Sequence, residues 1–159
     1  MTIIQTPRTY LRSFTINDLD SLLIMMKDSE VMKHTGFKEV QSDEKVASLL
    51  SKWSLSKTVW ALVKKESEEV IGWFMLKRTI LDAPELGFML CKSEWGNGYA
   101  TEVSKALLDY AFNTLDEKKV IASSDSDNPA SIKVLKKIGF VETKSYSGEK
   151  DTCYFEVLK

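Results

Sequence analysis

Three apolar, β-prone runs follow one another with little between them: Thr58–Val63 (TVWALV), Val70–Leu76 (VIGWFML) and Glu85–Cys91 (ELGFMLC). A charged turn separates the first two, and Leu81-Asp82-Ala83-Pro84 precedes the third. Such short breaks leave no room for crossover helices, so the three strands are expected to pair antiparallel. The pattern then changes. Glu94–Phe112 (EWGNGYATEVSKALLDYAF) places two glycines directly before an unbroken amphipathic helix, and a strand follows at Lys119–Ser123. A meander of strands running into a β-α-β crossover predicts a mixed sheet carrying helices.

The flanks complete the order. Arg8–Phe14 (RTYLRSF) alternates as a first strand, and Thr15 with Asp18 forms a capping box for a helix over Ile16–Lys27. Leu19, Leu22, Leu23 and Met26 line one side of that helix. A second helix opens at Ser42, with Asp43 and Glu44 in its first turn and Val46, Leu49, Leu50 and Trp53 as its stripe. Beyond the crossover come a helix at Pro129–Ile138 and strands near Phe140–Tyr146 and Thr152–Leu158. No repeat, linker or low-complexity segment interrupts the chain, and one domain over residues 1–159 is expected.

Composition narrows the function classes. Lys and Arg (22) nearly balance Asp and Glu (23), so nothing directs the chain to nucleic acid or an acidic membrane surface. The apolar runs are too short to span a bilayer, and MTIIQTPRTY has no signal pattern, so a cytoplasmic protein is expected. Cys91 and Cys153 lie far apart and His34 is the one histidine, which leaves neither a disulfide framework nor a zinc site in view. No metal is expected.

Gly96 and Gly98 allow a sharp turn and close approach of a ligand to the backbone. The helix beginning near Tyr99 or Ala100 offers unpaired amide N–H groups and the positive end of its dipole, a setting that favours an anion such as a diphosphate. A tight turn with no ligand fits the two glycines equally well. A P-loop is excluded because no Gly-Lys-Ser/Thr follows, and GNGYAT lacks the third glycine of a dinucleotide fingerprint. Downstream, Asn128 suits an N-cap, Pro129 the first helical position and Gly139 the position after the last turn.

Taken together, these two segments resemble the GNAT acyltransferases, and in particular the branch of the ribosomal-protein alanine N-acetyltransferases. That family's acetyl-CoA motif, (Gln/Arg)-x-x-Gly-x-(Gly/Ala), often begins with an aromatic in this branch. Trp95-Gly96-Asn97-Gly98-Tyr99-Ala100 matches that variant, continued by Thr101-Glu102. Thr6-Pro-Arg-Thr-Tyr-Leu-Arg12, Glu85-Leu-Gly-Phe88 and Asn128-x-x-Ser131 through Gly139-Phe140 extend the likeness over nearly the whole chain. The resemblance implies the GNAT fold: an α/β (α+β) domain with a single mixed, mostly antiparallel sheet, splayed central strands and helices on both faces.

It also implies roles. In such enzymes the strand before the glycine turn splays from its parallel neighbour and pairs with the pantetheine arm, which would use the backbone of Phe88, Met89 and Leu90. The diphosphate would take amides from Trp95, Gly96, Asn97, Gly98, Tyr99, Ala100 and Thr101. Asn128 would bind the pantetheine through its side-chain amide, a role that competes with its capping. Lys133 and Lys136 lie either near the 3′-phosphate or on a solvated face.

An amine attacks a thioester only as the free base, so a proton acceptor or a pKa-lowering pocket is needed. Glu85 is the first candidate, with Asp125 and Asp127 as alternatives. The last helix lacks the tyrosine that many GNAT enzymes use, so Ser131 is assigned the protonation of the departing thiolate. A backbone amide at Met89 or Leu90 would hold the oxyanion. Cys91, lacking a neighbouring base, reads as buried rather than as an acyl carrier, and His34 as a loop residue near the acceptor.

The expected activity is acetyl-CoA-dependent N-acetylation of a primary amine, a protein N-terminus or a small molecule, by direct attack in a ternary complex. Acetyl-CoA would be a cosubstrate, and the chain a monomer or homodimer. A CoA-binding sensor or interaction module without transferase activity is the alternative.

Overall fold

The computed structural model describes residues 2–146 and 148–159. Eight strands form one sheet: β1 (Thr2–Gln5), β2 (Thr9–Arg12), β3 (Val59–Lys64), β4 (Val70–Arg78), β5 (Pro84–Leu90), β6 (Lys119–Asp125), β7 (Val141–Thr143) and β8 (Thr152–Leu158). Their order is β1-β2-β3-β4-β5-β6-β8-β7. The helices are α1 (Leu19–Met26), α2 (Ser29–Met32), α3 (Asp43–Ser54), α4 (Tyr99–Asp109) and α5 (Pro129–Lys137). The mixed, mostly antiparallel sheet agrees with the expected fold class. Its one recorded parallel register is β5 on β6 at Glu85↔Ile121, the product of the β-α-β crossover through α4.

The chain divides into two compact units. The first holds the chain up to Met75 together with Phe88–Tyr99. Its core joins Leu22, Met25 and Met26 of α1, Val46 and Leu50 of α3, and Ala61, Val63 and Trp73 of the sheet. Phe14, Trp53 and Trp73 stack in series, at 5.6 and 5.1 Å between centroids. Trp73 is thus a core residue, and Trp53, from the stripe of its helix, packs partly buried against it.

The amino-terminal hairpin is tighter than its sequence suggested. Thr6 N–H bonds to Thr9 O at 2.9 Å, and the two threonine hydroxyls meet at 2.8 Å, which closes a turn around Pro7 and Arg8. β1 was not expected, because TIIQ is too short to show alternation. The helix expected from Ile16 instead begins as a single 3₁₀ turn (Ile16–Asp18) before α1. The Thr15–Asp18 pairing holds: Thr15 N–H donates to Asp18 Oδ2 at 2.7 Å. Ser42 caps α3 as read, accepting from Lys45 N–H at 3.3 Å.

The second unit comprises Leu76–Gly87 and Ala100–Lys159. β6 and β8 pair antiparallel over seven positions, from Lys119↔Leu158 to Asp125↔Thr152. Val103, Leu107, Ala111, Val120, Leu135, Phe140 and Phe155 are buried. The strand expected to reach Tyr146 stops at Thr143, where Thr143 Oγ1 accepts from Ser145 N–H at 3.1 Å and turns the chain.

Candidate active site

The glycine turn takes the conformation its residues allow. Gly96 and Gly98 lie at φ 76° and 80°, the left-handed region that penalises any side chain. A Cβ on Gly96 would meet nothing within 4 Å, so the backbone here is open to a ligand. Asn97 Nδ2 donates to Glu94 O at 3.3 Å, and Trp95 Nε1 donates to Leu90 O at 3.1 Å, tying the turn to the end of β5. α4 begins at Tyr99, as expected, and its first amides have no partner within the helix.

Two residues in this unit carry site geometry that their sequence context did not disclose. Arg8, at the tip of the first hairpin, donates from Nη1 to Asn97 O at 2.8 Å and lies 4.3 Å above the Tyr99 ring. It brings a permanent positive charge to the glycine turn. Gly72 lies under β5, where an added Cβ would collide with the Met89 carbonyl oxygen and come within 2.7 Å of Leu90 Cδ2. Only a glycine lets β4 approach the stretch whose backbone is expected to meet the cofactor. Phe88 turns its ring onto Phe74 at 5.4 Å, so its side chain belongs to packing. Cys91 is pushed up to about 11 by burial and by the nearby Glu94 carboxylate, which keeps it a thiol at neutral pH.

In the second unit Glu85, the second residue of β5, is half-buried, and its Oε1 accepts from Ser123 Oγ at 2.8 Å. No partner among the described residues meets Oε2. Glu85 and Ser123 form one wall of a cavity of about 220 Å³ that continues through Ile121 and Ala122. Thr79, Ile80 and Leu81 of the β4–β5 turn, with Tyr146 and Tyr154, also line it. Ser123 faces Tyr154 directly across the β6–β8 ladder, which explains why the two share the cavity.

Asn128 caps α5 through Oδ1, which accepts from Ser131 N–H at 3.3 Å. Its Nδ2 has no partner among the described residues, so capping and donation to a ligand use different atoms. Ser131 is half-buried with an unpartnered hydroxyl among those residues, but it does not line the Glu85 cavity. Lys133 and Lys136, with Lys137, border a broad hollow of about 610 Å³ over α5. Ser123, the tyrosines and the β4–β5 turn escaped sequence reading because strand pairing, not sequence spacing, brings them to Glu85.

The model of the acetyltransferase (GNAT) domain family matches residues 8–141. The chain belongs to the GNAT acetyltransferase family. An uncharacterized N-acetyltransferase, p20, of Bacillus licheniformis is 30% identical over 147 residues, 88% of this chain and 83% of that protein. A GNAT-family acetyltransferase from Bacillus anthracis superposes with a TM-score of 0.87 at 23% identity, covering 99% of this chain and 98% of that one. The spermidine N-acetyltransferase of Vibrio cholerae, solved with CoA and spermine, superposes with a TM-score of 0.77 at 18% identity over 95% of each chain. GNAT proteins bind acetyl-CoA, and the backbone at Gly96 is open. No helix among the described residues is long and apolar enough to cross a membrane.

Proposed function

We propose that residues 1–159 act as one acetyl-CoA-dependent N-acetyltransferase domain that acetylates a primary amine by direct attack. The observation that carries this reading is the Glu85 carboxylate, held by Ser123 at the wall of a cavity and three residues ahead of Phe88 on the same strand. The backbone of Trp95–Thr101 holds the diphosphate, Asn128 Nδ2 donates to the pantetheine arm, and the backbone of Phe88–Leu90 pairs with it. Acetyl-CoA supplies an activated thioester. Glu85, through Oε2 or one water, takes the proton of the incoming ammonium so that the free amine can attack. The Ser131 hydroxyl donates to the departing thiolate, and a Met89 or Leu90 amide faces the carbonyl oxygen. The raised Cys91 supports direct attack over an acyl-cysteine route. The likeness to ribosomal-protein alanine N-acetyltransferases makes a peptide N-terminus one acceptor, and a small amine is the other.

The test follows free thiol while the protein is mixed with acetyl-CoA and a panel of amines and peptides. Acceptor-dependent thiol release is expected. A thermal shift with CoA but no release across the panel would instead identify a CoA sensor.

A further inference from the structure

We infer that the Glu85 cavity selects a small primary amine with a single positive charge and a compact apolar or aromatic body, and that it disfavours polyamines. The inference rests on the transferase reading and names its acceptor. Drug-sized ligands occupy cavities of roughly 300–1,000 Å³. At about 220 Å³ this half-open hollow suits a smaller body.

Its wall is chemically lopsided. Glu85 is the one carboxylate among the described residues that line it, whereas an extended polyamine carries several ammonium groups that each need a counter-charge. The remaining surface is largely apolar: Ile80 is 101% exposed and Leu81 38%, side chains that no core packing explains. Tyr146 and Tyr154 meet edge-on at 6.5 Å and present a ring surface. Lys119 sets a positive charge beside Tyr146, which opposes a second ammonium there. Lys119 Nζ already lies 5.4 Å from that ring and donates to its hydroxyl at 2.7 Å, while Glu156 accepts from the same hydroxyl at 3.3 Å.

The apolar side is also held in place without ligand. Arg78 Nη2 grips both carboxylate oxygens of Glu117, at 2.6 and 2.7 Å, and Nη1 reaches Asp82 Oδ1 at 3.0 Å. The β4–β5 turn that carries Ile80 and Leu81 is thereby pinned at both ends of one guanidinium. In the reaction the acceptor nitrogen forms the amide bond as the C–S bond breaks. The ammonium proton passes to Glu85; as the adduct collapses, Ser131 gives its hydroxyl proton to the sulfur, which leaves as a thiol, and takes back the second proton that the nitrogen loses.

The experiment compares 2-phenylethylamine, putrescine and spermidine as acceptors for the full chain, with thiol release as the readout. A kcat/KM for 2-phenylethylamine about tenfold or more above that for either polyamine is expected. Replacing the exposed pair, Ile80→Ser with Leu81→Ser, should raise the 2-phenylethylamine KM about fivefold while the acetyl-CoA KM stays unchanged. Equal or better turnover of spermidine or putrescine overturns the inference and leaves the transferase reading standing. So does an unchanged 2-phenylethylamine KM in the double variant. Thiol release with no amine at all removes both.

Discussion

Ser123 Oγ donates to Glu85 Oε1 at 2.8 Å beside the parallel register Glu85↔Ile121, so one hydroxyl orients the carboxylate while no described residue meets Oε2. Glu85→Gln should lower kcat about 10²-fold, the size of a lost general base. The KM for acetyl-CoA should not move. Ser123→Ala removes orientation but not the acceptor, so a loss of only about fivefold is expected. Steady-state thiol release at saturating acetyl-CoA checks both. A Glu85→Gln enzyme at the wild-type rate would sink the assignment.

The glycine turn offers a second check. Gly98 lies at φ 80° with Arg8 Nη2 3.5 Å from where a Cβ would stand. Gly98→Val forces a β-branched residue into that region, at a cost of about 1–3 kcal/mol, and should weaken CoA binding at least tenfold. Arg8→Ala should weaken it about threefold to tenfold by losing the Asn97 bond and the Tyr99 contact. Arg8→Lys should recover only part, since an ammonium keeps the charge without the planar stacking. Calorimetric titration with CoA measures all three, and unchanged affinity in folded Gly98→Val would remove the cradle.

Cys91 gives a prediction of silence. With its thiol pushed up to about 11 by burial and Glu94, it stays protonated through the neutral range. Cys91→Ala should therefore keep turnover within about twofold, the change reflecting packing alone. Loss of the acetyl transfer step in that variant, seen as absence of burst and turnover, would restore the covalent route.

Asp18 sets an acid-stability prediction. Burial pushes its carboxyl up, but bonds from Arg12 at 2.7 and 2.8 Å and from Thr15 outweigh it and hold it below the usual range. A lowered folded pKa stabilises the fold above the unfolded value of about 3.9, and that contribution fades as pH falls through the folded value. Asp18→Asn should cost about 2–3 kcal/mol at pH 7, because it leaves the Arg12 charge poorly matched. Urea unfolding at pH 7 and at pH 3 should show a wild-type advantage that is smaller at the second, because pH 3 lies below the unfolded value. An equal gap at both would contradict the linkage.

Much of the fold could be read directly. The stripes of α1 and α3, the caps at Thr15–Asp18, Ser42 and Asn128, and the strands from β3 onward depend on short-range periodicity and local hydrogen bonds. Those forces are carried by neighbours in sequence. β1 and α2 escaped because four residues hold too little pattern, and β7 ended early because the Thr143 hydroxyl competes for the backbone.

The site divides along the same line. Gly96, Gly98 and the start of α4 were legible because a left-handed turn and unpaired helical amides are local properties of the backbone. The Thr6–Arg12 motif was visible as letters, but its physical work was not. Thr6 and Thr9 close the hairpin, Arg8 reaches 89 residues along the chain to Asn97, and Arg12 grips Asp18.

By itself the sequence determined the strand and helix types, the glycine turn and the kinds of group available for acyl transfer. Tertiary structure alone decided which groups meet: Ser123 with Glu85, Tyr154 with Ser123, Arg8 with the turn, Gly72 under Met89. Strand register and hairpin reach place those partners, and both are settled by which side chains the whole sheet can bury, a long-range packing choice that no local window contains.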